Sequence, residues 1–154
     1  MTAHLIDGKK FATSLADKIA ASVSIIKKTY QVTPCLAVVL VGTDPASQVY
    51  VRNKGQQTRA AGMTSIEHKL PSTASEAQLL ALIDSMNKDE AIDGILVQLP
   101  LPEQINEASV IQAIAPEKDV DGFHVVNAGL LATGHCGLVP CTPLGCLLLL
   151  QNHL

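Results

Sequence analysis

An α/β fold, a three-layer sandwich with a mostly parallel sheet flanked by helices, is what the sequence predicts, on three observations. Short apolar runs alternate with amphipathic stretches in the order strand, helix, strand, helix, strand, and that order favours parallel pairing through right-handed crossovers. The run at 35–41 is continuously apolar and that at 95–99 is apolar but for Gln98 at its rim, as strands buried on both faces are. The 154 residues are 47% hydrophobic but only 3% aromatic, so a single domain with a core of Leu, Ile, Val and Ala is expected.

The elements follow in order. After Asp7-Gly8, the residues Phe11, Leu15, Ile19, Val23 and Ile26 recur at three or four positions, with lysines mostly between them. This is the pattern of a long amphipathic helix, and Thr33-Pro34 is expected to end it. The first strand closes at Gly42. Asp44-Pro45 reads as N-cap and first helical residue, because a carboxylate accepts from free amides and proline gives up a hydrogen that had no partner. That helix stops near Ala61-Gly62. Residues 63–70 form a second strand broken by Pro71, and Ser75-Glu76 begins a helix through Leu79, Leu80, Ile83 and Met86.

Asp93-Gly94 turns into the third strand, which Pro100 and Pro102 stop. A short helix over 106–115 ends at Pro116. Residues 117–124 read as a solvated turn, and 127–137 as irregular chain. A final helix over 144–154 is apolar on several faces, which calls for burial between two bodies. The expectation is therefore a domain over 1–143, with 144–154 opening a helix that leads onward past Leu154.

Composition excludes several classes. A net charge of −3 without a basic run argues against a nucleic-acid surface, and no apolar run approaches the roughly 20 residues of a membrane helix. The start, Met-Thr-Ala-His-Leu-Ile-Asp, lacks a secretory pattern, and the four cysteines form no CxxC pair, so free thiols in the cytoplasm are expected. No metal site is expected: His135, Cys136, Cys141 and Cys146 do not match zinc spacings. Counting from Asp119, the twelfth position is Leu130, where a calcium loop needs glutamate. The ten glycines contain no dinucleotide turn.

The candidate chemistry lies on the second helix. At about 100° per residue, Ser47, Tyr50, Lys54, Gln57 and Ala61 share one arc, with Val51 and Thr58 near its edge and Arg52, Gln56 and Arg59 opposite. A lysine on the apolar side either snorkels at the edge of the core or lines a cleft. In layered α/β folds sites form beyond the carboxyl ends of strands. Those ends deliver Gly42 to Tyr50 from the first strand and Gln98 from the third, a polar residue at the rim of an apolar run.

Four separated motifs then combine: 41–54 with Tyr50 and Lys54; Asp93-Gly94-Ile95-Leu96-Val97-Gln98-Leu99-Pro100-Leu101-Pro102; Pro116-Glu117-Lys118-Asp119-Val120-Asp121-Gly122; and Pro140-Cys141-Thr142-Pro143 with Gly145. In this order they resemble the bifunctional methylenetetrahydrofolate dehydrogenase/methenyltetrahydrofolate cyclohydrolase family over its amino-terminal half. Short-chain dehydrogenases also carry Tyr-x-x-x-Lys, but after a glycine-rich turn that nothing here supplies.

The resemblance implies a tetrahydrofolate substrate and the oxidation of methylene- to methenyltetrahydrofolate, followed by hydrolysis to 10-formyltetrahydrofolate. It implies Lys54 as the central catalytic group and Tyr50 stacked on the aminobenzoyl ring. Gln98 holds the lysine, and Asp121 contacts the pterin. Main-chain groups of Val97, Gln98, Leu99 and Pro100 line the same pocket. NADP is implied on a Rossmann domain absent from this chain, with no cofactor expected on these residues, and a homodimer for the complete enzyme. Gly55 departs mildly from a good helix, at a cost of about 1 kcal/mol relative to alanine. The alternative reading is a non-catalytic folate-binding or interaction module that assembles through 147–154.

Overall fold

The computed structural model describes residues 5–153. Residues 1–4 and Leu154, the outer ends of the two expected spans, lie outside the described residues. The chain runs α1 (Gly8–Tyr30), β1 (Cys35–Val41), α2 (Pro45–Ala60), β2 (Thr64–Leu70), α3 (Glu76–Lys88), β3 (Gly94–Val97), α4 (Glu107–Ala113), a 3₁₀ turn (Pro116–Lys118), α5 (Val125–Ala132) and α6 (Cys141–Gln151).

The three strands are parallel in the order β2-β1-β3, in agreement with the α/β expectation. The alternation of side chains along β1 divides the core. Cys35, Ala37, Val39 and Val41 meet Leu79, Ile83 and Met86 of α3 with Val110 of α4. Val38 and Leu40 point the other way, against Val51 of α2. Helices thus cover both faces of one buried strand, which is why β1 is apolar at every position.

This topology sets the location of a crevice. The chain leaves β1 toward α2 on one face, and leaves the neighbouring β3 toward α4 on the other. Adjacent strands whose connections diverge leave a gap beyond their carboxyl ends, the usual binding place in open α/β sheets.

Several expectations change. α1 stops at Tyr30, earlier than Thr33-Pro34, because Gln31 adopts the left-handed conformation (φ 57°) and its N–H closes on Lys27 O. Of the α1 stripe only Val23 is buried, and Ile19 stays 44% exposed. The 127–137 stretch is not irregular throughout, since α5 covers much of it. His124 supplies the cap, its Nδ1 accepting from Val126 N–H, a role its sequence context did not advertise. α6 begins at Cys141 rather than 144, with Pro143 tolerated in its first turn. Its Leu144, Leu147 and Leu150 are exposed in this chain. Among the described residues no helix is long and apolar enough to cross a membrane.

The 117–124 stretch also departs from a solvated turn. Lys118 Nζ donates to Met86 O, Asn87 O and Asp89 O at 2.8–3.1 Å, capping the carbonyl end of α3, where a cation suits the helix dipole. Asn87 in turn donates to Ala113 O and accepts from Ala115 N–H, tying α3 to the end of α4. Lys118→Met keeps the stem but strands those carbonyls, and should lower the unfolding free energy by about 1–3 kcal/mol. Urea denaturation of the two chains checks this, and an unchanged midpoint would remove Lys118 from the scaffold.

Candidate active site

The site is assembled from three chain segments that local rules bring together. α2 starts where Asp44 accepts from Ser47 N–H at 2.7 Å. That hydrogen bond, with one from the Ser47 hydroxyl, holds the Asp44 carboxyl below its ordinary value. The buried stripe of α2 is Ser47, Val51, Gly55 and Thr58, about 75° from the centre of the arc expected from the sequence. Tyr50 and Lys54 therefore sit on one flank of the buried stripe and Arg52 and Arg59 on the other. The arginine flank faces β2, where Arg59 lies 3.9 Å from Glu67.

Gly55 explains itself here. A Cβ at this position would stand 2.7 Å from Glu67 Oε1 and 3.3 Å from Ser65 Oγ. The helix-propensity cost expected at Gly55 is thus offset by close approach of α2 to β2.

On the opposite flank Lys54 is half-buried and its Nζ donates to Gln98 Oε1 at 3.2 Å. Gln98 follows β3 directly and extends the ladder through its N–H to Val39 O at 2.9 Å. Its Nε2 donates to Leu99 O at 2.7 Å. That second bond decides the orientation of the amide, because only the NH₂ end can donate. The oxygen is left facing the lysine. Lys54 and Gln98 thus meet at the crevice between β1 and β3.

The third segment is the turn 119–122, closed by Gly122 N–H to Asp119 O at 3.1 Å. Ile95 and Asp119 form an isolated parallel bridge, so the turn is laid alongside β3. Two glycines permit this. A Cβ on Gly94 would stand 2.5 Å from Val120 Cγ1, and one on Gly122, at φ +66°, would meet the backbone of Val139 and Pro140 at 2.8 and 2.9 Å.

Asp121 is half-buried in the turn. Burial pushes its carboxyl above the ordinary carboxylate range, the positive charge of Lys54 opposes this, and the negative charge of Asp119 adds to it. No direct ion pair joins Lys54 and Asp121 among the described residues.

The remaining expected positions are distributed around these. Tyr50 lies one turn before Lys54 and is 62% exposed, open to stacking from solvent. Val97 is buried in the core, which restricts it to main-chain contacts. Leu99 is half-buried and Pro100 exposed. The structure thus joins Lys54, Gln98 and the field of Asp121, and leaves Tyr50 at the mouth.

Sequence reading missed Asp119, His124 and Asn127. Asp119 is 2% exposed and accepts from His124 N–H at 2.8 Å and Asn127 Nδ2 at 3.0 Å. The available signal was a pair of aspartates separated by one valine, Asp119-Val120-Asp121. All four cysteines are free thiols, with Cys35 buried, and among the described residues no three His, Cys, Asp or Glu side chains gather as a metal site.

An α/β domain that gathers a lysine, an amide and a carboxylate where its strand connections diverge is built to hold a small polar molecule. Residues 6–121 match the family described as tetrahydrofolate dehydrogenase/cyclohydrolase, catalytic domain, and the chain belongs to that family.

Similar proteins include bifunctional protein FolD 1 of Roseobacter denitrificans, 59% identical over 153 residues that cover 99% of this chain and 51% of that protein. Bifunctional protein FolD of Rhodospirillum centenum is 61% identical over 150 residues, covering 97% and 49%. The solved FolD structure from Campylobacter jejuni is similar at a TM-score of 0.94 and 40% identity, covering 97% of this chain and 53% of that one. That of the Trypanosoma brucei enzyme, complexed with NADP cofactor and inhibitor, gives 0.94 at 31%, covering 99% and 53%. The chain spans about half the length of the curated relatives it matches.

The N-termini of α2 and α3 are poorly suited to a pyrophosphate. The N-terminus of α2, after β1, is occupied by the Asp44 carboxylate, which would repel a pyrophosphate where a cofactor turn needs free amides. The N-terminus of α3 is closed by the Ser75–Gln78 capping box.

The state of Asp121 has a stability consequence. With its carboxyl raised, the folded chain holds the proton more tightly than the unfolded chain, so stability falls as pH rises through the window just above the ordinary carboxylate value. Asp121→Asn should therefore be more stable than the parent at neutral pH, with the difference vanishing below about pH 3.5. Urea unfolding at both pH values checks this, and a less stable variant at neutral pH would contradict the burial argument.

Proposed function

We propose that this chain is the folate-binding half of a bifunctional one-carbon enzyme. The complete protein then oxidises 5,10-methylenetetrahydrofolate to 5,10-methenyltetrahydrofolate and hydrolyses that to 10-formyltetrahydrofolate. The observation that carries the reading is the Lys54 Nζ to Gln98 Oε1 hydrogen bond at the β1–β3 crevice, in a chain of the tetrahydrofolate dehydrogenase/cyclohydrolase family.

In this reading the folate lies along α2 with its aminobenzoyl ring on Tyr50, since an exposed aromatic face suits a flat ring. The donor-rich edge of the pterin meets Asp121, whose carboxylate accepts from N–H groups. Main-chain groups from 97–100 line the floor. In the hydrolytic step a water adds to the methenyl carbon. Lys54, as the free amine, takes the proton that water releases and returns it to the ring nitrogen as the carbon–nitrogen bond opens, and the hydroxyl proton of the adduct leaves to solvent as the formyl carbonyl forms. Gln98 keeps the amine aimed at that carbon through the oxygen its own Leu99 contact orients.

NADP, named with the Trypanosoma brucei structure, is assigned to residues outside this chain, in a Rossmann domain that follows 144–154. A cytoplasmic setting suits the free thiols, and a homodimer is proposed for the complete enzyme. The exposed leucines of α6 favour a second reading, in which this chain binds folate without turnover and assembles through 147–154.

Lys54→Met in the complete protein should lower methenyltetrahydrofolate hydrolysis by about 100-fold or more, with folate affinity largely kept. Retained hydrolysis would end the lysine assignment. Calorimetric titration of the 154-residue chain with 5-formyltetrahydrofolate, beside a hydrolysis assay, separates the enzyme from the module: binding without turnover favours the latter. The same chain should form no NADPH from methylenetetrahydrofolate and NADP, and NADPH formation would refute the division of labour.

A further inference from the structure

Asp119 is among the most deeply buried polar groups of the molecule, at 2% exposure, and it stands two residues from Asp121. Its Oδ2 accepts from the His124 N–H at 2.8 Å and from Asn127 Nδ2 at 3.0 Å, and Asn127 Nδ2 also reaches Pro116 O at 2.7 Å. Asn127 is 3% exposed. The first turn of α5 is thereby fastened to the segment that precedes the Asp121 turn. The Ile95–Asp119 bridge fastens the same segment to β3. A buried carboxylate is costly unless it is paired or well hydrogen-bonded; here no cation pairs with it among the described residues, and neutral donors hold it.

We propose that Asp119, held by Asn127 and the His124 amide, is a positioning residue that fixes the Asp121 turn on β3 and, through its negative charge, strengthens Asp121 as an acceptor for the ligand. The proposal rests on the folate reading for the identity of that ligand. An apolar residue at 119 would fill the space, but it would leave two donors unanswered and remove the field. The raised carboxyl of Asp121, to which the charge of Asp119 contributes, agrees with this geometry. The charged groups acting on Asp121 are Lys54 from α2 and Asp119 from its own turn, with the neutral Gln98 amide aimed at the lysine between them in the chain order of the site.

Asp119→Asn separates the charge from the scaffold. The amide oxygen can take the place of Oδ2 and accept from both His124 and Asn127, so the fold and its urea midpoint should be nearly preserved. Carbon-detected NMR titration of the Asp121 carboxyl in the 154-residue chain should then show its midpoint falling toward the ordinary carboxylate value. The dissociation constant for 5-formyltetrahydrofolate, measured by calorimetry, should rise by up to about tenfold.

Asn127→Ala, which removes one holder, should weaken the same binding by about tenfold. A purely structural Asp119 would leave the Asp121 midpoint unmoved in Asp119→Asn. That result, with affinity within about twofold of the parent, overturns the proposal. If the parent chain binds no folate, the folate reading fails. The Asp121 titration in Asp119→Asn then still decides whether Asp119 acts on Asp121.

Discussion

Every ladder bond in the sheet passes through β1. It pairs with β2 along one edge over 35–41 and with β3 along the other, and both of its faces are closed by helices. A strand in that position has no tolerance for polarity, so its sequence is read without ambiguity. β2 and β3 do not pair with each other, β3 gains the isolated Ile95–Asp119 bridge on its far edge, and the gap at the carboxyl end of β1 is where α2, β3 and the 119–122 turn can all arrive. Loss of the β1–β3 register by one residue would carry Gln98 to the other face of the sheet.

The electrostatics of the crevice follow from how unevenly its groups are satisfied. Among the described residues Lys54 donates to one neutral acceptor, Gln98 Oε1, which directs the amine without neutralising it. Asp121 feels the ammonium only at a distance. A tight lysine–aspartate pair would have satisfied both groups and left little for a ligand to do. Here the lysine acts on the carboxyl only through its charge, and Tyr50, one turn before Lys54, stays 62% exposed.

The parts that were legible in the sequence are those governed by local rules. Asp44-Pro45, Ser75-Glu76 and the β-rich run at 35–41 each carry their own instruction, and each element formed where expected. Lys54 and Gln98 were legible as misfits, polar residues at positions whose neighbours were apolar. The 117–127 segment was not, because much of what orders it joins residues that no helix or strand period relates. Lys118 answers carbonyls about thirty positions earlier, and the partners of Asp119 lie on a helix whose valines and glycine hide its period. Gly55 was misjudged for the same reason, since its value lies in Glu67 and Ser65 across the interface. Propensity alone can only register its cost.

Gly55 lies on the flank of α2 that faces β2, whereas Tyr50 and Lys54 project from the other flank. A Cβ at 55 would first meet the carboxylate end of Glu67, the guanidinium of Arg59 and the hydroxyl of Ser65, all of them side-chain ends. The seat of α2 on β2 is thus cushioned by side chains that can swing aside, on the flank away from the amine.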